Sequence, residues 1–193
     1  MKRFLAVTVS ALILIPTFAL AKLNAPDVMD TEKIITEESL AKYKNVGVRI
    51  FSTDGIDYSN VDDEEMKKMK RFMKDCQEKL AKTIKNNLED EGVNAFVIEE
   101  DADAGKADMV VEGKFTKIDL GSAVGRIMWG WGAGQAGLTV EGRLVDAKSG
   151  DALAKFEHEN TSGLGDGEKW SLILREAQDL GDKIAEFIVK LRK

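Results

Sequence analysis

Gly121-Ser-Ala-Val-Gly-Arg-Ile-Met-Trp-Gly-Trp-Gly-Ala-Gly-Gln-Ala-Gly137 runs without a break into Leu138-Thr-Val-Glu-Gly-Arg-Leu-Val-Asp-Ala-Lys-Ser-Gly-Asp-Ala-Leu-Ala-Lys-Phe-Glu-His-Glu159. In the second part Leu138, Val140, Gly142 and Leu144 alternate with Thr139, Glu141 and Arg143, the period of a half-buried strand. Asp146 to Asp151 is a short turn with Gly150 where positive φ is needed. Ala152 to Glu159 therefore returns antiparallel, with Ala152, Ala154, Phe156 and His158 on its apolar face.

The first part is not a regular element. Gly121, Gly125, Gly130, Gly132, Gly134 and Gly137, mixed with Ala123, Ala133 and Ala136, make a small-residue surface on which another backbone can come close. Ile127, Met128, Trp129 and Trp131 interrupt it as bulky pegs, and two of the chain's three tryptophans are there. Two readings are open: a crossover whose tryptophans tuck into the protein's own core, or a contact site for another chain or for lipid. On the second reading the partner-binding residues are Gly125, Ile127, Met128, Trp129, Gly130, Trp131, Gly132 and Gly134. Gly132-Ala-Gly-Gln-Ala-Gly137 matches the G-x-G-x-x-G fingerprint in letters only. The fingerprint needs a helix opening on it to hold a pyrophosphate, and here a strand follows. No cofactor is expected.

Working toward the N-terminus, Asp108 to Asp119 reads as a strand with Met109, Val111, Gly113 and Phe115 on one face, and Asn94 to Glu99 as another. The acidic run Glu99 to Asp108 lacks the glycine and the closing glutamate of a calcium loop: Ala104 and Val110 stand there instead. Glu64 to Glu91 is a long helix with Met66, Met69, Met73, Cys76, Leu80, Ile84 and Leu88 on one stripe. Lys67, Lys68, Lys70, Arg71, Lys74, Lys82 and Lys85 face away. They read first as a solvated face laced with Asp75, Glu78 and Glu89, and second as a surface for acidic lipid headgroups. Gly92 ends the helix. Asn45 to Phe51 is a first strand, with Val46, Val48 and Ile50 on one face, closed by the turn at Asp54-Gly55. Lys22 to Lys44 is a lead-in.

Past the hairpin, Ser162-Gly-Leu-Gly-Asp-Gly167 punctuates the chain before a last helix from about Glu168 to Leu191. Its stripe is Ile173, Ala177, Leu180, Ile184, Phe187 and Leu191. The order of elements predicts an α+β fold: a mixed sheet of about five strands covered by two long amphipathic helices, as a single domain over residues 45–193. Strands one and two, joined across a helix, should be parallel, and the later strands antiparallel. With both helices on one sheet face, the other face calls for a cover, the Gly-rich run or a second subunit.

Met1 to Ala21 has the three parts of a signal peptide: Lys2 and Arg3, an apolar run from Phe4 to Ile15, and Ala19-Leu20-Ala21 as the cleavage site. The expectation is a periplasmic or secreted protein cut after Ala21, with no cysteine there to take a lipid anchor. Loss of Lys2 and Arg3 would take the formal net charge from −6 to −8. That balance argues against nucleic-acid binding. With a single cysteine, Cys76, and a single histidine, His158, neither a zinc site of the Cys/His type nor a Ser-His-Asp triad can be assembled. Cys76 reads as a small core residue, and His158 as structural, since no carboxylate partner can be named from spacing.

Ala107-Asp-Met-Val-Val-Glu-Gly-Lys-Phe115, the Trp/Gly/Ala run after Gly121, and Leu138-Thr-Val-Glu-Gly-Arg-Leu-Val-Asp-Ala-Lys-Ser-Gly150 together resemble the bacterial domain-of-unknown-function 4410 family over roughly Tyr43 to the final helix. The shared motifs are turn and packing glycines. The resemblance implies a cell-envelope domain, often lipoprotein-like, and brings no active site; the missing cysteine after the leader departs from the lipoprotein pattern. The arrangement is also loosely similar to envelope secretion and auxiliary lipoproteins of Gram-negative bacteria.

The first functional reading is a non-enzymatic envelope module that binds an envelope protein or a copy of itself through residues 121–137. A second is a carboxylate-dependent hydrolase or lyase drawing on Asp108, Glu112, Asp119, Glu141 and Asp146. A third is peripheral membrane association through the Trp, Met and Ile pegs.

Overall fold

The computed structural model describes residues 23–59, 63–120, 136–161 and 169–193. In order these form β1 (Thr31–Ile34), β2 (Asn45–Arg49), β3 (Asp57–Ser59), α1 (Asp63–Asp90), β4 (Asn94–Ile98), the single turn α2 (Asp101–Ala104), β5 (Met109–Asp119), β6 (Gly137–Asp146), β7 (Ala152–Thr161) and α3 (Lys169–Arg192). One mixed sheet runs β1-β7-β6-β5-β2-β4, with β3 beside β5 beyond the end of β2. β2 is parallel to both β4 and β5, as a helical crossover requires, while β5, β6, β7 and β1 alternate in direction.

The α+β class and the two long helices agree with the sequence reading, but the sheet has seven strands where about five were expected. The two extra strands are short. β1 lies inside the segment read as a lead-in; its residues alternate between exposed and half-buried, so no apolar face announces it. Hydrogen bonding to the edge of β7 makes it a strand. β3 follows the Asp54-Gly55 turn, where Gly55 has φ +73°. Between β2 and β3 the Ser52 N–H donates to Gly113 O at 2.9 Å, and the Phe115 N–H donates to Ser52 O at 2.9 Å. β2, Ser52 and β3 thus serve β5 as one interrupted neighbour.

Both helices lie on one face of the sheet and touch each other. The stripes read from the sequence are the buried ones: Met69, Met73, Cys76, Leu80, Ile84 and Leu88 on α1, and Ile173, Ala177, Leu180, Ile184, Phe187 and Leu191 on α3. Met66, expected with them, is half-buried, one turn short of full cover. The helices meet closely at Gly181, where a Cβ would come 2.7 Å from Thr83 Cβ and 3.1 Å from Leu80 O. Met29, Leu40 and Tyr43 join the same core from the lead-in segment, and the Arg192 guanidinium donates back to the carbonyls of Leu40, at 3.2 Å, and Tyr43.

Two local departures follow from backbone geometry. Ile50, placed by alternation with Val46 and Val48, is 40% exposed, while Phe51 is fully buried. β2 ends at Arg49, and beyond it the alternation breaks, so that Ile50 faces out and Phe51 points inward. In β5 the inward residues Met109, Val111 and Phe115 are followed by Ile118 because a bulge between Phe115 and Lys117 resets the period.

The Phe51 ring fills a slot left by glycine. Gly113 and Gly142 are directly paired across β5 and β6. A Cβ on Gly113 would sit 2.4 Å from Glu141 O and 2.6 Å from Phe51 Cε2, and one on Gly142 would sit 2.4 Å from Phe156 Cζ. Phe51 stacks edge-on against Phe115, and Phe156 against Phe187, at 6.4 and 5.6 Å between centroids.

Two predictions test this packing. Because the obstacle at Gly113 includes backbone, Gly113→Ala is expected to cost about 3 kcal/mol or more in urea unfolding, at the upper end for overpacking. Burial, reinforced by Asp75, pushes the Cys76 thiol up to about 12. Its labelling by an aromatic disulfide reagent at pH 8 should be about a thousandfold slower in the native protein than in the urea-unfolded chain.

Candidate interaction surface

Four strand ends stand on one rung of the sheet: Ser59 beside Asp119, Asp119 beside Gly137, and Gly137 beside Thr161. Every connection that leaves this rung lies outside the described residues: 60–62 toward α1, 121–135 from β5 to β6, and 162–168 toward α3. With three residues between Ser59 and Asp63, α1 must start within about 14 Å of the same rung. Gly125, Ile127, Met128, Trp129, Gly130, Trp131, Gly132 and Gly134, the candidate contact residues, all fall outside the described residues. Their seat is described. Leu120, Ala136 and Leu138 are 1%, 5% and 0% exposed, so the core reaches both ends of the Gly/Trp-rich run.

Beside that rung sits a buried acid that the sequence reading passed over. Glu176 is 1% exposed on the stripe of α3, between Ile173 and Ala177. The Asn160 side-chain amide donates to its carboxylate at 2.6 Å, and Arg175 Nη2 lies 3.7 Å away. Burial, with Asp179 adding repulsion, raises its pKa above the ordinary carboxylate value. A polar letter inside an apolar stripe was the available signal.

The five carboxylates considered for acid–base chemistry are spread along the sheet. Asp108 and Asp119 bracket β5, about 35 Å apart for an extended strand. Asp108 Oδ2 accepts from the backbone N–H groups of Lys44 and Asn45 and from the Asn45 amide at 2.9–3.0 Å, which fastens the start of β2. Asp146 Oδ1 caps the hairpin turn through the N–H groups of Lys148 and Ser149, and its Oδ2 accepts from Tyr43 Oη at 2.9 Å. These bonds, Ser149 foremost, lower its pKa. Asp108 and Asp146 are brought to one end, each occupied with backbone. Glu112 and Glu141 lie between, on the sheet face away from the helices.

That outward face is a lattice of charge. One rung carries Glu112, Arg143, Lys155 and Lys33 across four strands, and Arg49 reaches Glu112 from the end of β2. Glu112 is gripped from both sides, by Arg143 Nη2 at 2.6 Å and Arg49 Nε at 3.4 Å. Lys114 pairs with Glu141 at 3.1 Å on the next outward rung. These side chains line an open concavity of about 780 Å³. The expectation that this face calls for a cover meets a described surface made of charged side chains, with Ile50 at its margin.

His158 has the carboxylate that spacing could not name. Asp30 Oδ2 lies 3.1 Å from His158 Nδ1 and accepts from the Glu159 N–H at 2.8 Å. This contact ties the segment before β1 to β7. Among the described residues there is no group of three His, Cys, Asp or Glu side chains placed to hold a metal ion, and no helix long and apolar enough to cross a membrane.

A family model described as Domain of unknown function (DUF4410) matches residues 46–165. No curated protein matches the sequence. Among solved structures the chain is similar to the PelC dodecamer from Paraburkholderia phytofirmans, at 13% identity over 81% of this chain and 96% of that one, with a TM-score of 0.46. It is similar to a Xanthomonas campestris protein of the family DUF330, at 7% identity, 76% and 81% coverage and a TM-score of 0.43. It is also similar to Lipoprotein GNA1162 from Neisseria meningitidis, at 15% identity, 74% and 98% coverage and a TM-score of 0.36.

Glu176 yields a pH prediction. An acid whose folded pKa is raised keeps its proton longer in the folded state, so stability is lost as pH climbs from the unfolded value, about 4.3, through the folded one. Glu176→Gln retains an oxygen for Asn160 and removes the titration. In urea unfolding it is expected to match the parent near pH 4 and to become the more stable of the two as pH rises toward 8.

Proposed function

The chain belongs to the DUF4410 family, and we propose that it works in the cell envelope as a non-enzymatic binding or assembly module whose contact segment is the Gly/Trp-rich run between β5 and β6. One observation carries this reading. Asp119 and Gly137 face each other in register, so a hairpin turn of about two to five residues would join the strands, yet residues 120–136 intervene. Connections of that length inside a domain are uncommon and are usually functional. This one spends its length on small residues and on Trp129 and Trp131, the composition of a surface that packs closely and anchors with aromatics.

The leader at residues 1–21 supports an address outside the cytoplasm, in the periplasm or beyond. The engaged state of four of the five carboxylates supports binding over acid–base catalysis: Asp108 and Asp146 fasten backbone, and Glu112 and Glu141 hold cations. The partner proposed is an envelope protein or a second copy of this chain.

A photo-crosslinking amino acid at position 131 in intact cells is expected to give a discrete adduct with a protein. Trp129→Ala/Trp131→Ala is expected to reduce partner capture or oligomer size at least about tenfold while the unfolding midpoint stays within a few degrees. Undiminished capture by the folded double variant would overturn the assignment.

A further inference from the structure

α1 distributes its charge unevenly. From Lys67 to Lys74 it presents Lys67, Lys68, Lys70, Arg71 and Lys74, all exposed and with no acid between them, in a chain of net charge −6. Lys67, Lys70, Arg71 and Lys74 recur at steps of three and four, so they form a single stripe turned away from the buried Met69, Met73 and Cys76. The second half of the helix is neutralised along its length, with Lys82 on Glu78 at 3.0 Å and Lys85 bonded to Glu89 at 2.5 Å. In the first half Lys68 pairs with Glu64 at 3.4 Å, and among the described residues none of the four stripe cations is in an ion pair. Lys67 and Arg71, and Lys70 and Lys74, are like charges four apart, a repulsion that Asp75 and Glu78, four residues beyond Arg71 and Lys74, offset in part.

A second observation adjoins it. Phe72 and Trp170 meet edge-on at 5.3 Å, both half-buried, and together with Lys68, Arg71 and Asp75 they line one shallow depression between α1 and the start of α3. An aromatic pair packed against the core but partly exposed at its outer edge, beside a row of cations, suits a protein surface that rests on a bilayer. Aromatic rings settle at the headgroup boundary, and each cation near an anionic surface adds attraction.

We propose that this face of α1, with Phe72 and Trp170, docks the protein on an anionic lipid bilayer. The stripe runs about 10 Å along the helix axis from Lys67 to Lys74, so its cations can meet a plane of phosphates together. The attraction is of Debye range and fades with salt. The site is distinct from the Gly/Trp-rich run and does not depend on the reading given above. α1 begins beside the rung from which that run leaves, so docking would bring the same end of the molecule toward the membrane.

The test is flotation of the protein, as recovered from cells, with vesicles of phosphatidylcholine alone or mixed equally with phosphatidylglycerol. Binding is expected on the mixed vesicles only, and it should weaken as salt rises. Lys67→Gln/Lys70→Gln/Arg71→Gln/Lys74→Gln is expected to lower it by about a hundredfold or more, at roughly fivefold per cation, with Lys82→Gln/Lys85→Gln as a near-silent control. In a Trp129→Phe/Trp131→Phe background, where Trp170 is the remaining tryptophan, brominated lipid should quench the fluorescence. Equal binding to both vesicle types, equal binding by the folded quadruple variant, or absence of quenching would overturn the proposal. So would binding to soluble polyglutamate as tight as to the mixed vesicles.

Discussion

At Gly113 and Gly142 two neighbouring strands come so close that a methyl group on Gly113 would strike the partner's carbonyl oxygen. Phe51 and Phe156 lie over the pair and restore the apolar volume that two missing side chains would leave open. The rest of the fold leans on this contact. Phe51 is delivered by the turn out of β2, Phe156 by the far strand of the hairpin, and their edge-on partners Phe115 and Phe187 carry the contact along β5 and up to α3. Sheet and final helix are therefore coupled through two glycines that a side chain would disturb from both directions.

Given that core, charge sorts itself by face. The helix-covered side of the sheet is apolar, and the other side carries, beside the buried Ile98, Val110 and Val145, a lattice of Arg, Lys and Glu in which Glu112 holds two guanidinium groups. α1 repeats the division along its length: its second half is paired, and in its first half the acids Asp63 to Glu65 are followed by five cations from Lys67 to Lys74. A protein of net charge −6 thus keeps a basic stripe on α1, one turn past the acids with which the helix begins. Three connections leave a single rung near the start of α1, so the two strands that flank the Gly/Trp-rich run end close to where that helix begins.

Much of this was legible from letters. The helical stripes, the β6–β7 hairpin, the parallel pairing across α1 and the glycines ending α1 and turning the hairpin all follow from periods of 3.6 and 2 and from positive φ at Gly92 and Gly150. β1 and β3 were not legible, because strands of four and three residues contain too few letters for a period and owe their conformation to the neighbour they join. Ile50 and Phe51 exchanged places because one turn of backbone outranks alternation. The Asp30–His158 contact, 128 residues apart in sequence, had no local signal at all.

By itself the sequence determined which faces are apolar, where the chain turns and how many titratable groups exist for chemistry, since these depend on side-chain type and short-range geometry. Tertiary structure alone decided that Asp108 and Asp146 meet at one end of the sheet and fasten backbone while Glu112 and Glu141 pair with cations, that Gly113 meets Gly142, that Glu176 is buried beside Asn160, and that four strand ends share one rung. Those facts depend on register and on the packing of distant segments, and a residue's type does not specify which distant residue it will meet.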